Sequence, residues 1–70
     1  MKLYDITGVI KCGHRLFTLR KYVVAESKEQ ALTLYLTEHP HARHISIKYK
    51  YELKSERTPH TIFTNVKKIP

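Results

Sequence analysis

The sequence predicts an α+β fold, a two-layer ββαβ(β) sandwich in which one helix packs on an antiparallel sheet. Two alternating runs of apolar residues flank a Gly13-His14 turn, which is typical of a β-hairpin. Ser27 then precedes a stretch whose apolar residues have helical spacing, and a third alternating run follows at 45–53. A single helix covers only one face of such a sheet, so the other face is left to solvent or to a partner.

The first two predicted strands each have an apolar face. The strand over 3–12 places Tyr4, Ile6, Gly8, Ile10 and Cys12 on one side. The second strand spans about 15–25, and its apolar face, with Phe17, Leu19, Val23 and Ala25, is interrupted only by Lys21. Its opposite face is mixed and carries Arg20 and Tyr22.

A helix is predicted to begin after Ser27 and to end near His39. Ser27 and Gln30 have the spacing of a capping box. The apolar stripe consists of Ala31, Leu32, Tyr35 and Leu36, with Leu34 at its shoulder. Pro40 ends the helix, since the residue before a proline is disfavoured in the α region.

The third predicted strand has the clearest alternation in the chain. Its apolar face comprises Ile45, Ile47, Tyr49, Tyr51 and Leu53, and its polar face comprises His44, Ser46, Lys48, Lys50, Glu52 and Lys54. We expect the apolar face to meet the helix and Ile47 to be a central core residue. The β-rich stretch 61–69 is either a short edge strand or a loosely held basic tail, and the edge strand is the favoured interpretation.

Length and composition indicate one small folded domain, 1–70, with an ordered core of about 3–54. Leu, Ile, Val and Phe supply 19 of 70 residues, enough to oppose disorder. Thirteen Lys and Arg oppose six Asp and Glu, for a formal charge of +7. Such a charge favours a polyanionic partner, RNA first, with an acidic protein surface as the alternative.

Two further observations concern the cellular location of the protein and its binding to membranes. Cys12 is the single cysteine, which excludes an intramolecular disulfide framework and favours a reducing, cytoplasmic location. No apolar stretch approaches the roughly 20 residues of a membrane helix, so no membrane partner is expected.

The predicted nucleic-acid interface is the sheet face opposite the helix, extended into the segment after the helix. Lysine and arginine neutralise phosphates, and aromatic rings stack on unpaired bases. The candidate residues are Arg15, Arg20, Tyr22, Arg43, His44, Lys48, Lys50 and Lys54, with Tyr4 expected near Tyr22. The alternative is that these lysines only protect a solvated sheet from aggregation.

Neither catalysis nor a metal or other cofactor is expected. His39, His41 and His44 lie close in sequence, but no four ligands have zinc-site spacing. The six acidic residues are scattered, and no glycine-rich phosphate loop or catalytic triad pattern is present. Cys12 with His14 is more typical of a buried thiol beside a turn than of an activated nucleophile.

Parts of the chain resemble the archaeal large-subunit ribosomal protein LX family. The matching segments are 4–8, Val24-Ala25, 28–31, 41–43 and 45–47, together about fifty residues with the intervening chain. The chain departs from the family at 38–41, where Glu-His-Pro-His replaces a Gly-Ser-Lys-His pattern. The resemblance implies a small RNA-binding module of the large ribosomal subunit, with rRNA as its partner.

A second function stays open. Small phage and plasmid proteins share this layout, and an accessory protein of that kind would bind a host protein or a nucleic-acid complex. Five tyrosines favour it, because tyrosine is enriched at protein interfaces.

Overall fold

The structure, a computed structural model, describes residues 1–70 and contains four strands and one helix. Their bounds, in chain order, are β1 (Lys2–Cys12), β2 (Arg15–Ala25), α1 (Lys28–Glu38), β3 (Arg43–Glu52) and β4 (His60–Lys68). The strands form one antiparallel sheet in the order β3-β1-β2-β4, and α1 packs on it. The predicted α+β class is confirmed.

The β1–β2 hairpin forms the centre of the sheet. Its pairing is unbroken from Lys2 opposite Ala25 to Cys12 opposite Arg15. Gly13 has a φ of 65° at the turn, a conformation that glycine adopts without a steric cost. The strand alternation predicted for both members is therefore observed, because a turn between adjacent strands fixes their register locally.

The side of the sheet that contacts α1, here called the helix face, carries the hydrophobic core. Its buried members are Tyr4, Ile6, Leu19, Val23, Ala25, Ala31 and Tyr35. Leu32, Leu34 and Leu36 are all half-buried, but only Leu34 and Leu36 pack against this cluster from the helix. All sheet members of the buried cluster belong to β1 and β2.

Both ends of α1 lie where the sequence predicts them. The Ser27 hydroxyl accepts a hydrogen bond from the Gln30 amide at 3.1 Å, and Gln30 Oε1 accepts one from the Glu26 amide at 2.7 Å. The first bond satisfies an amide that a free helix end leaves unpaired. The second differs from the predicted capping box, because the Gln30 side chain reaches the amide of Glu26 and not that of the N-cap Ser27. The helix ends at Glu38, two residues before Pro40. It is not long and apolar enough to cross a membrane.

The third strand corrects two predictions. Lys50 is an extra residue between the Tyr4–Tyr49 and Leu3–Tyr51 pairs, so Tyr51 lies on the face opposite the helix. Leu53 lies beyond β3, where it exchanges backbone hydrogen bonds with Met1. Because β3 is an edge strand, Ile47 is only half-buried, and the prediction that it is a central core residue was wrong.

The predicted fourth strand is present as β4, which pairs with β2 and forms the other edge of the sheet. Residues 53–59 cross one end of the sheet to reach it. Ile62 is an extra residue between the Tyr22–Phe63 and Val23–Thr61 pairs, so β4 also contains a bulge. Bulges therefore occur on both outer strands, and the central hairpin has none.

Candidate nucleic-acid interface

The sheet face opposite the helix, here called the open face, is built from rows of directly paired residues. Side chains of paired residues in neighbouring strands point to the same face, and successive rows are two residues apart. From one end to the other, in the order β3, β1, β2 and β4, the rows are Tyr51–Leu3–Val24–His60, Lys48–Asp5–Tyr22–Phe63, Ser46–Thr7–Arg20–Asn65 and Arg43–Val9–Thr18–Lys67.

An aromatic pair lies in the middle of the open face. The rings of Tyr22 and Phe63 are 4.8 Å apart between centroids and inclined by 36°, and Phe63 is 42% exposed. The Arg20 guanidinium lies 5.5 Å from the Tyr22 centroid, and Lys50 Nζ lies 5.4 Å from it. Both distances allow a cation–π interaction. The exposed Phe63 ring thus packs beside a half-buried tyrosine ring that contacts two cationic side chains.

A shallow cleft adjoins this aromatic pair. It has a volume of about 390 Å³ and is here called the central cleft. Its lining residues are Thr7, Thr18, Arg20, Tyr22, Phe63, Asn65 and Lys67. Hydroxyl, amide and cationic groups therefore surround the two rings, and such groups can bond both to phosphates and to base edges.

Arg20 is not a free cation, because Asp5 binds it. Asp5 Oδ1 accepts a hydrogen bond from Arg20 Nε at 3.0 Å, and Oδ2 accepts a second from Nη2. The hydrogen bonds from Arg20 lower the pKa of the Asp5 carboxyl, the charges of Lys50 and Lys48 lower it further, and burial opposes them. The ion pair fixes the guanidinium plane beside Tyr22 and cancels its net charge.

Lys48 and Lys50 are the free cations on this part of the open face. Both are exposed, and Lys48 lies directly opposite Asp5. Lys67 adds a third at the far edge of the central cleft. Neither Lys67 nor Phe63 was predicted as a site residue. The β-rich pattern at 61–69 was visible in the sequence, but which strand it pairs with, and in which register, was not.

A second cleft, here called the end cleft, lies at the end of the open face near the β1–β2 turn. It has a volume of about 420 Å³, and its lining residues are Val9, Lys11, Leu16, His41, Arg43, His44 and Ile69. The predicted site residues Arg43 and His44 come together here with Lys11 and His41, which were not predicted. Lys11 lies two residues after Val9 on β1 and therefore on the same face of the sheet, so the strand pattern could have identified Lys11 as a site residue.

Three predicted positions are not part of the open face. Arg15 pairs with Cys12 at the end of the hairpin, and strand alternation places both on the helix face. Lys54 lies beyond β3 in the exposed connection to β4. Tyr4 is buried on the helix face, where its ring meets that of Tyr49 edge-on at 6.0 Å. Tyr4 and Tyr22 therefore lie on opposite faces of the sheet.

The helix face contains an ion pair of its own. Lys21, whose side chain is 4% exposed, donates a hydrogen bond from Nζ to Glu38 Oε2 at 2.7 Å. That hydrogen bond lowers the pKa of the Glu38 carboxyl. Burial, followed by the charge of Lys21, lowers the pKa of the neighbouring His39. This pair explains how a lysine occupies the otherwise apolar face of β2.

The histidines and acidic residues form no cluster of three or more side chains that could hold a metal ion. Cys12 is exposed at the end of β1, and it lines a cleft of about 330 Å³ with His39 and His41. The expectation of a buried thiol was therefore wrong, because the hairpin extends past the end of the helix-covered core.

No protein-family model matches the chain. No curated protein and no solved structure matches it either.

Proposed function

We propose that the chain binds single-stranded nucleic acid, RNA in the first place, through the open face. The observation that carries the proposal is the Tyr22–Phe63 pair, in which Phe63 is exposed and Tyr22 half-buried, with free lysines on both sides of it. Base–aromatic stacking contributes about 1–3 kcal/mol per base, and phosphate neutralisation adds affinity that depends on salt. A surface that only resisted aggregation would need the lysines but not the exposed Phe63 ring.

A single strand fits this face better than a duplex does. The rings lie on a sheet surface, and only an unpaired base can leave its neighbours to stack there. A two-layer ββαβ(β) arrangement suits the role, since the helix supports the sheet from behind and leaves the open face around Phe63 uncovered, whereas Leu3 and Val24 at one end of that face are buried. An RNA of the large ribosomal subunit, as in the LX family, is one target within this proposal, and the proposed location is cytoplasmic.

Two neighbouring lysines offer a matched test of the electrostatic part. Lys67 pairs with Thr18 on the open face, whereas Lys68 pairs with Phe17 on the helix face. Lys67→Glu and Lys68→Glu change the net charge equally, so a general charge effect would weaken binding equally. We expect Lys67→Glu to weaken binding of a single-stranded RNA at least fivefold more than Lys68→Glu does. The double variant Lys48→Glu with Lys50→Glu should weaken RNA binding further than Lys67→Glu.

The measurement is fluorescence anisotropy with a labelled RNA over a range of salt concentrations. The logarithm of the affinity of the native chain should fall linearly with the logarithm of salt concentration, and the slope should be shallower for Lys67→Glu. Equal affinities of the Lys67 and Lys68 variants would count against a face-specific site. An unchanged affinity of a folded Lys48/Lys50 variant would exclude the proposed interface.

The aromatic part has its own matched pair on β4. Phe63 lies on the open face and Val66 on the helix face, with exposed fractions of 42% and 54%. Phe63→Ala should weaken RNA binding by about 1–3 kcal/mol through loss of stacking. Val66→Ala should leave the affinity unchanged. Equal small effects of both changes would show that the rings do not contact bases.

A phage- or plasmid-type accessory protein that binds an acidic host protein is the second candidate. It is favoured by exposed apolar residues on the free edge strand β4, namely Ile62, Phe63 and Val66. A pull-down from host lysate with and without nuclease separates the two functions. Partners that survive nuclease treatment would favour the accessory protein, and loss of all partners would favour RNA.

A further inference from the structure

The central cleft and the end cleft adjoin each other on the open face. Thr18 lines the central cleft and pairs directly with Val9, which lines the end cleft. On β4, Lys67 lines the central cleft and Ile69, two residues later, lines the end cleft. The two clefts therefore follow one another along the direction of the strands, with rows about 7 Å apart.

The two clefts differ in charge. In the central cleft, Asp5 cancels the charge of Arg20. No carboxylate lines the end cleft, where the lysine, the arginine and two histidines surround an apolar floor of Val9, Leu16 and Ile69. Arginine and lysine without an acidic partner attract phosphate, and imidazole can bond to it as well.

A bulge in β3 brings Arg43 to the end cleft. Between the Thr7–Ser46 and Val9–Arg43 pairs, His44 and Ile45 together face the single residue Gly8. His44 has a φ of 53°, in the left-handed region that side chains other than glycine seldom adopt. Regular alternation from Ile45, which packs on the core, would turn Arg43 to the helix face. The bulge instead directs it to the open face.

We infer that the end cleft is a second subsite for the same nucleic-acid strand, where it binds the phosphates of nucleotides that extend past the Tyr22–Phe63 pair. The strand then runs along β1 and β2 from the aromatic centre toward the hairpin end. This inference rests on the proposed function, since the central cleft must bind the first bases. It assigns stacking to one cleft and phosphate neutralisation to the other.

The test combines oligonucleotide length with a double variant. Dissociation constants are measured by anisotropy for single-stranded oligouridylates of two and eight nucleotides. Lys11→Ala with Arg43→Ala removes both permanent cations of the end cleft, and Lys28→Ala with Lys68→Ala is the matched control away from the open face. Circular dichroism and thermal melts first establish that both variants are folded.

We expect the Lys11/Arg43 variant to bind the octamer at least tenfold more weakly and the dinucleotide as the native chain does. Its salt slope for the octamer should be shallower by about 1.4, since each phosphate contact on a single strand contributes about 0.7 to the slope. The control should lose much less octamer affinity. Glycine adopts a positive φ without strain, so His44→Gly removes the imidazole and keeps the bulge. This variant therefore measures the contribution of the imidazole to octamer binding.

Two outcomes would overturn the inference, and they differ in what else they exclude. If octamer binding depends on Phe63 but the Lys11/Arg43 variant shows the native dependence on length, the end cleft is not a subsite, while the proposed function stands. If the native chain binds neither oligonucleotide, the proposed function fails together with the inference.

Discussion

At the scale of single residues, Tyr35 and Gly8 depend on each other. The Tyr35 hydroxyl donates a hydrogen bond to the backbone carbonyl of Leu19 at 3.0 Å, with the ring fully buried. Gly8 is paired with Leu19 and lies beneath the same hydroxyl, where a Cβ would be only 2.6 Å from the oxygen. Close packing therefore accounts for the glycine at this position. Backbone conformation does not, because the φ of Gly8 is not in the left-handed region.

We expect Gly8→Ala to destabilise the fold by about 1–3 kcal/mol, as overpacking of a core does. Tyr35→Phe should cost about 1 kcal/mol for the lost hydrogen bond. In the Tyr35→Phe background, Gly8→Ala should lower the free energy of unfolding by less than it does alone, because the hydroxyl oxygen nearest to the new Cβ is absent. Urea unfolding of the two single variants and the double variant measures this coupling. Additive costs would show that the Tyr35 hydroxyl does not restrict position 8.

At the scale of elements, the structure assigns the core to β1, β2 and α1, with β3 as a partly covered edge. Ile6 is fully buried, whereas its β3 partner Ile47 is half-buried. The helix crosses the central hairpin, so the side chains beneath it lose more solvent exposure than those at the edge. The strong alternation of β3 therefore predicted which side chains up to Tyr49 lie on each face of the sheet. It did not predict how deeply those side chains are buried.

The stability of this small domain should follow burial. Ile6→Ala should cost about 2–5 kcal/mol, much of the roughly 5 kcal/mol available to a marginal domain. Ile47→Ala should cost clearly less, and Lys48→Ala should stay within about 0.5 kcal/mol of the native chain. Thermal melts of the three variants give this order. A larger loss for Ile47→Ala than for Ile6→Ala would mean that β3 contributes more to the core than its exposure indicates.

At the scale of the whole molecule, three groups with lowered pKa values make stability depend on pH in the acid range. The pKa values of Asp5 and Glu38 lie below their ordinary values of 3.8 and 4.5, chiefly because Arg20 and Lys21 donate hydrogen bonds to them. The pKa of His39 lies below 6.5, chiefly because of burial. The unfolded chain therefore binds protons more readily than the folded chain at all three positions, and acid favours unfolding.

We expect the free energy of unfolding to fall in two stages as the pH is lowered. The contribution of His39 is complete above pH 6.5 and is lost as the pH falls through its lower folded-state pKa. The contributions of Glu38 and Asp5 to stability are complete above pH 4.5 and are lost in more acidic solution. Urea titrations between neutral and acid pH measure this. His39→Gln should remove the first stage and His14→Gln, at the exposed turn, should not; an unchanged first stage in His39→Gln would contradict the assignment.

The sequence by itself determined the local elements: the β1–β2 hairpin, the capped helix, and the alternation that separates Arg20 and Tyr22 from the core. Caps, turns and alternation arise from residues close together in the chain, so their physical causes can be recognised without a fold. The general position of an open face bearing lysines followed from the same patterns.

Tertiary structure alone decided the composition of the candidate site. The Asp5–Arg20 ion pair and the Tyr22–Phe63 contact depend on the register of paired strands, and Phe63 pairs with a residue far away in the chain. The bulges near Lys50 and His44 place Tyr51 and Arg43 on the open face, against a strict two-residue period. A bulge is set by how distant strands fit together around a packed core, and no local pattern records that fit.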